Sequence, residues 1–407
     1  MIKRIVAIVF IYVCTAAAWG VLGATIFHRT YSAEENLRGQ VESIWGAAHI
    51  QRAPVARDAR AAALPVEAGR PGGGSATEAT APPALLIPLE QTRARVALTL
   101  EPRKKGLLWY STYRVAFQGD YTFRNPTDRE LRVLVEWKLP AAQAIYDDLV
   151  VLAEGRPVEF RQNADTITVE VPVGAHQPLQ WQVRYRSQGL DSWRYDFGDG
   201  VARVRDFELR LTTNFRDFDF PQDTLAATEK HETDSGWELL WTYTNLMTGY
   251  DLGVAMPRML QPGPLAGRIS FFAPVSLFFF FFLMFIFTTL RQIDLHPMNY
   301  FFLAAAFFAF HLLLAYLVDH IAVHFAFAVS AAVSVFLVVS YLWRVVGARF
   351  AWREAGLTQF VYLVLFSSAF FLEGYTGLTV TILSILTLFV VMQMTARVRW
   401  SEKFAPR

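Results

Sequence analysis

The residues best able to do chemistry cluster at two short turns between apolar runs. Asp319 and His320 are the polar interruption in an otherwise apolar stretch from Met298 to Trp343, and His324 follows one helical turn later. His311 precedes Asp319 by eight positions, roughly 12 Å along a helix axis, and Glu373 occupies a second turn. Imidazole and carboxylate together can bind a metal ion or pass a proton, so these five residues define a candidate polar rim that could line one outward-facing pocket. The ordinary alternative is structural: acids and histidines at tight turns cap helices or bridge neighbours, and a neutral buried His needs only one hydrogen-bond partner. Neither HExxH nor paired CxxC spacing occurs, so the sequence predicts no metal site and no cofactor.

These residues are positioned by runs long enough to cross a hydrocarbon core of roughly 30 Å. Met298–Trp343 reads as two such runs in a tight antiparallel hairpin. A further span is expected at Ile269–Leu290, a short fifth at about Leu357–Leu372 and a sixth at about Leu378–Met394. Ile5–Phe27, preceded by Lys3 and Arg4, reads as a retained signal anchor, with cleavage near Ala16 and Ala18 as the alternative. In the fourth span Ala322, Ala326, Ser330 and Ser334 recur every fourth residue, the spacing of a helix-packing face.

Between the first and second spans the composition changes three times. Residues 28–51 suit a membrane-proximal helix capped by Ser32, and 52–84 an Ala/Pro/Gly linker with a GGGS tract. Residues 85–262 alternate Val, Thr, Tyr, Phe and Trp with polar residues, broken by turns such as NPTD and EGRP, which predicts an antiparallel β-sandwich. The fold class expected is therefore an α+β membrane protein: residues 1–27 as anchor, the β domain, a five-helix bundle over 263–396 and a basic tail over 397–407.

Arg291, Arg344, Arg349, Arg353 and the tail residues Arg397, Arg399, Lys403 and Arg407 mark one side of the membrane, whereas the Asp319 and Glu373 turns lack Lys and Arg. The positive-inside rule then puts both termini in the cytoplasm and the β domain on the exported side of the membrane. A net charge of +2 over 407 residues offers no bulk attraction to nucleic acid, and the single Cys14 excludes an intrachain disulfide. No GxSxG elbow or P-loop is present. Acid pairs such as Asp191 with Asp196, or Asp217 with Asp219, lack a surrounding catalytic or calcium-binding motif, and no catalytic residue is assigned.

The stretch LHPMNYFFLAAAFFAFHLLLAYLVDHIAVHFAFAVSAAVSVFLVVSYLWRVVG, with FLEGYTGLTVTILSILTLFVVMQMTARVRW after it, resembles the CreD inner-membrane protein family. The features that carry the likeness are a His-Pro pair opening a span, an acid-His pair at a turn, a Leu-Glu-x-Tyr turn and a basic-aromatic tail. The resemblance implies a bacterial inner-membrane protein linked to envelope integrity and stress tolerance, with no catalytic residues to carry over. The expected function is non-enzymatic, with the lipid bilayer and an unidentified periplasmic protein or envelope component as partners. The alternative is a transporter or proton-coupled sensor using His311, Asp319, His320, His324 and Glu373.

Overall fold

The computed structural model describes residues 2–62, 85–105, 108–142, 144–198, 200–372 and 374–396. The GGGS tract, Glu373 and the basic tail lie outside them. The chain divides into a helical unit, mainly Met1–Asn36 and Leu260–Arg407, and a β unit of Leu37–Lys105 and Trp109–Met259.

Among the described residues six helices are long and apolar enough to cross a membrane. The first runs without a break from Ile2 to Trp45, so the separate membrane-proximal helix expected from His28 does not exist. Ser32 is consequently a mid-helix residue whose hydroxyl contacts His28, not a cap. The helix stops where Gly46 adopts a φ of +86°, a left-handed conformation that costs other residues about 1–2 kcal/mol. A side chain there would also meet the Gln188 carbonyl at 2.5 Å.

The second helix is Pro262–Leu290 and the third Pro297–Leu317, the latter opened by Pro297 with the His296 ring accepting from the Met298 amide. The fourth is Val323–Val345. Gly347, at φ +121°, turns the chain into the fifth, which covers Ala348–Phe371 and so starts nine residues before its apolar run. Two π-helical segments, Ala351–Gly356 and Phe360–Leu365, interrupt it. The sixth is Thr376–Thr395. Their buried faces form one apolar core that includes Trp19, Phe280, Phe307, Phe310 and Leu363.

The β unit begins earlier than composition indicates. His49–Arg52 pairs in parallel with Ser192–Asp196, and Val55–Asp58 pairs antiparallel with Leu131–Lys138. Residues read as the start of the linker are thus strand, because Ala56 fills a core position opposite Val135. The largest sheet has eight strands in the order Arg156–Pro157, Tyr146–Ala153, Pro178–Leu190, Thr112–Arg124, Leu89–Leu100, Ala202–Thr213, Trp237–Thr248 and Glu229–Glu232.

The expectation of a purely antiparallel arrangement fails at the centre of this sheet, where Leu89–Leu100 runs parallel to Ala202–Thr213. These strands are far apart in sequence, so no tight hairpin dictates an antiparallel pairing. One face of the sheet sends Val96, Phe117, Trp181, Val183 and Leu209 into a core shared with a four-stranded and a five-stranded sheet. Period-two burial from Leu179 to Gln188 leaves Gln180, Gln182, Arg184, Arg186 and Gln188 on the opposite, polar face.

Candidate functional site

Asp319 lies just past the end of the third helix, where the partial negative charge of the helix terminus disfavours an acid. Arg29 of the first helix resolves this conflict. Its guanidinium sits 3.1 Å from the Asp319 carboxylate and 3.3 Å from the Ala315 carbonyl, satisfying both the acid and the helix end. The same guanidinium lies 5.9 Å from the centre of the Tyr316 ring.

Among the described residues the rim is only partly placed. Glu373 lies outside the described residues, and the partner found for Asp319 is Arg29. His320 is exposed, and so is His324. The reason is local: Ala322 is extended (φ −57°, ψ 137°), so the fourth helix starts only at Val323 and His324 falls in its first turn. There its ring lies over Phe371, at 5.1 Å between centres, so His324 rather than Asp319 meets the end of the fifth helix. His311 is fully buried two turns below Asp319. It bonds to its own helix at the Phe307 carbonyl (3.0 Å) and is flanked edge-on by Trp19 and Phe310.

Ala326, Ser330 and Ser334 are buried, whereas Ala322 precedes the helix and is exposed. Ser334 donates across to the Ala306 carbonyl of the third helix at 2.6 Å and accepts from Gln359 of the fifth at 2.9 Å. Gln359 is fully buried between the two π-helical segments, and its Oε1 has no partner among the described residues. Five residues earlier, Glu354 pairs with Arg291. At the start of the first helix Arg4 pairs with Asp294 at 3.1 Å. Each acid of the helical unit whose side chain is described, Asp294, Asp319 or Glu354, thus has an arginine partner.

In the β unit the acid pairs separate. Asp191 binds Arg38 at 2.5 Å and Asp196 binds Arg52 at 2.6 Å, while Asp217 and Asp219 are exposed. A buried polar cluster not anticipated from the sequence joins two sheets. His49 Nε2 is 3.0 Å from Ser187 Oγ, and Tyr113 OH is 3.3 Å from His49 Nδ1. The Ser187 hydroxyl donates to the Ile145 carbonyl (2.8 Å), which engages the proton a nucleophilic serine would have to lose. Burial pushes the His49 imidazole down to about 4, so it is neutral at physiological pH.

The polar face of the eight-stranded sheet carries a cavity of about 530 Å³ lined by Arg95, Arg184, Arg186 and Arg210, with Asp148 as its acid. Arg186 reaches Asp148 at 3.3 Å and Arg210 reaches Glu238 at 3.0 Å. Arg95 and Arg184 have no carboxylate partner among the described residues. The sequence signal was present in RARV and VRYR, whose period-two spacing puts both arginines of each motif on the same strand face.

No curated protein matches this sequence. A candidate nutrient binding protein from Legionella pneumophila is 8% identical, with 58% of this chain and 76% of that one covered, at a TM-score of 0.34. An M1 zinc metallopeptidase from Deinococcus radiodurans is 12% identical, with 42% of each chain covered and a TM-score of 0.26. Structural likeness at these scores carries no functional argument. Residues 242–401, which run from the last strands of the β unit through the second to sixth helices, match the model of inner membrane protein CreD, the family that the His-Pro, acid-His and Leu-Glu-x-Tyr features resemble.

Proposed function

We propose that this protein is a non-enzymatic inner-membrane component that holds its β unit in the periplasm, where the unit binds an envelope component or partner protein and supports envelope integrity or stress tolerance. The observation that carries this reading is where charge is left open. On the β unit Arg95 and Arg184 line a cavity without a carboxylate partner among the described residues. A scaffold with a stable core and a polar outer face suits recognition.

The test is complementation of a deletion strain under detergent challenge, beside a flux assay on the purified protein in vesicles. The full chain should restore tolerance, a chain lacking the β unit should not at equal membrane abundance, and the vesicles should show no pH- or ion-dependent flux. Tolerance restored by the helices alone would overturn the binding reading.

A second reading, transport or proton-coupled sensing, draws on the interior of the helical unit. Gln359 Oε1 and His311 Nε2 are buried and have no partner among the described residues, and π-helical turns recur at functional sites. A flux lost in Gln359→Leu would favour it.

A further inference from the structure

The arginines of the sheet cavity stand in register. Arg184 is directly opposite Gln118, Gln118 opposite Arg95, and Arg95 opposite Arg210, so four neighbouring strands contribute one transverse row. The next row, read the same way, is Arg186, Ala116, Ala97 and Thr212. Two alanines thus form a low floor beside a line of guanidinium groups, and both rows line the cavity.

Like charges on adjacent strands repel, so a sheet surface ordinarily intersperses acids. The row on the other side does so: Gln182, Asp120, Arg93 and Glu208 alternate, and Arg93 is held by Asp206 at 2.6 Å. The arginine row breaks this pattern only where the cavity lies. Arg210 is partly offset by Glu238 and Glu208, but Arg95 beside it is not.

We propose that this face binds a ligand bearing phosphate groups, with Arg95 and Arg184 as its principal contacts. The proposal rests on the reading of the β unit as the binding part and names its surface and ligand chemistry. At about 4.8 Å between strands, the backbones of Arg95 and Arg210 are one spacing apart and those of Arg95 and Arg184 two, roughly 10 Å. A carboxylate fills one guanidinium fork. A phosphate group presents oxygens to two forks at once, which fits adjacent arginines and a second cation further along the row. The ligand's phosphates could belong to a soluble molecule or to a lipid headgroup.

The experiment uses the full chain in phosphatidylcholine nanodiscs. Sodium tripolyphosphate is titrated by calorimetry, and co-flotation is measured with phosphatidylcholine vesicles with and without phosphatidate. The expected result is binding that weakens with salt and falls at least about tenfold in the Arg95→Gln/Arg184→Gln variant, while Arg93→Gln leaves it unchanged. Binding of tripolyphosphate alone assigns a soluble phosphate ligand, and flotation that requires phosphatidate assigns a headgroup. Binding of neither probe, or binding unaltered in the double variant, overturns the proposal. If it falls while the β unit is still required for detergent tolerance, the broader function stands and only this surface is wrong.

Discussion

Arg29 and Asp319 are 290 positions apart, yet their charged groups meet at 3.1 Å, joining the first apolar helix to the turn between the third and fourth. Arg4, 25 residues or about 38 Å earlier on the same helix, makes the matching contact with Asp294 beyond the end of the second. Between them Trp19 is fully buried against Phe308 and His311. Tied at Arg4 and Arg29 and packed at Trp19 between them, the first helix is an integral member of the bundle.

Neutralising either partner, by Arg29→Gln or Asp319→Asn, should cost on the order of 1 kcal/mol, because both side chains are partly exposed and solvent screens the pair. Exchanging the charges, Arg29→Asp with Asp319→Arg, should recover part of that loss in thermal unfolding of the purified protein. Strictly additive losses would show that the two side chains do not interact. The intact mass of the membrane-extracted protein should include residues 1–18.

Reporter fusions test the orientation read from the arginine-rich links. A periplasm-dependent reporter should be active at Gly155 and inactive after Arg407. Inactivity at Gly155 would defeat the assignment of the β unit to the periplasm, and activity after Arg407 would defeat the cytoplasmic C-terminus.

How much of this was legible beforehand depends on the range of the interaction. The apolar runs and the period-two strands are local patterns, and they located the helices and most of the β unit. What local pattern cannot supply is partner choice. Nothing near Asp319 in sequence points to Arg29, and nothing near Ser334 points to Gln359, because both pairings are set by how helices pack. The continuity of the first helix was missed for a different reason. Polar residues after Phe27 look like a boundary, yet they are compatible with helix, and the real stop is Gly46. Likewise Val55–Asp58 is too short to stand out from the Ala-rich sequence around it, and pairing with Leu131–Lys138 decides its conformation.

His49 gives the β unit a specific pH dependence. Its ordinary value near 6.5 is lowered to about 4 by burial, so below 6.5 the unfolded chain takes up a proton that the folded one excludes. Stability contributed by this group is present above pH 6.5 and declines as pH falls toward 4, by about 2 kcal/mol between pH 6.5 and 5. Denaturant unfolding of wild type and His49→Gln over that interval should show a shallower pH slope in the variant. Identical slopes would mean that His49 is not buried in its neutral form.

The last prediction separates packing from function inside the bundle. Ser334→Ala removes the cross-helix bond to Ala306 and leaves the Gln359 amide without its acceptor, so it should destabilise the protein by about 1 kcal/mol. Adding Gln359→Leu removes the stranded polar group at similar volume and should return much of that loss, whereas two independent sites would make the double variant worse than either single one. The same double variant bears on the two functional readings. If the helices serve to hold the β unit, detergent tolerance follows stability and the repaired variant is tolerant. A protein restored in stability but intolerant would show that Gln359 is needed for its own chemistry, in the interior of the bundle rather than on the sheet.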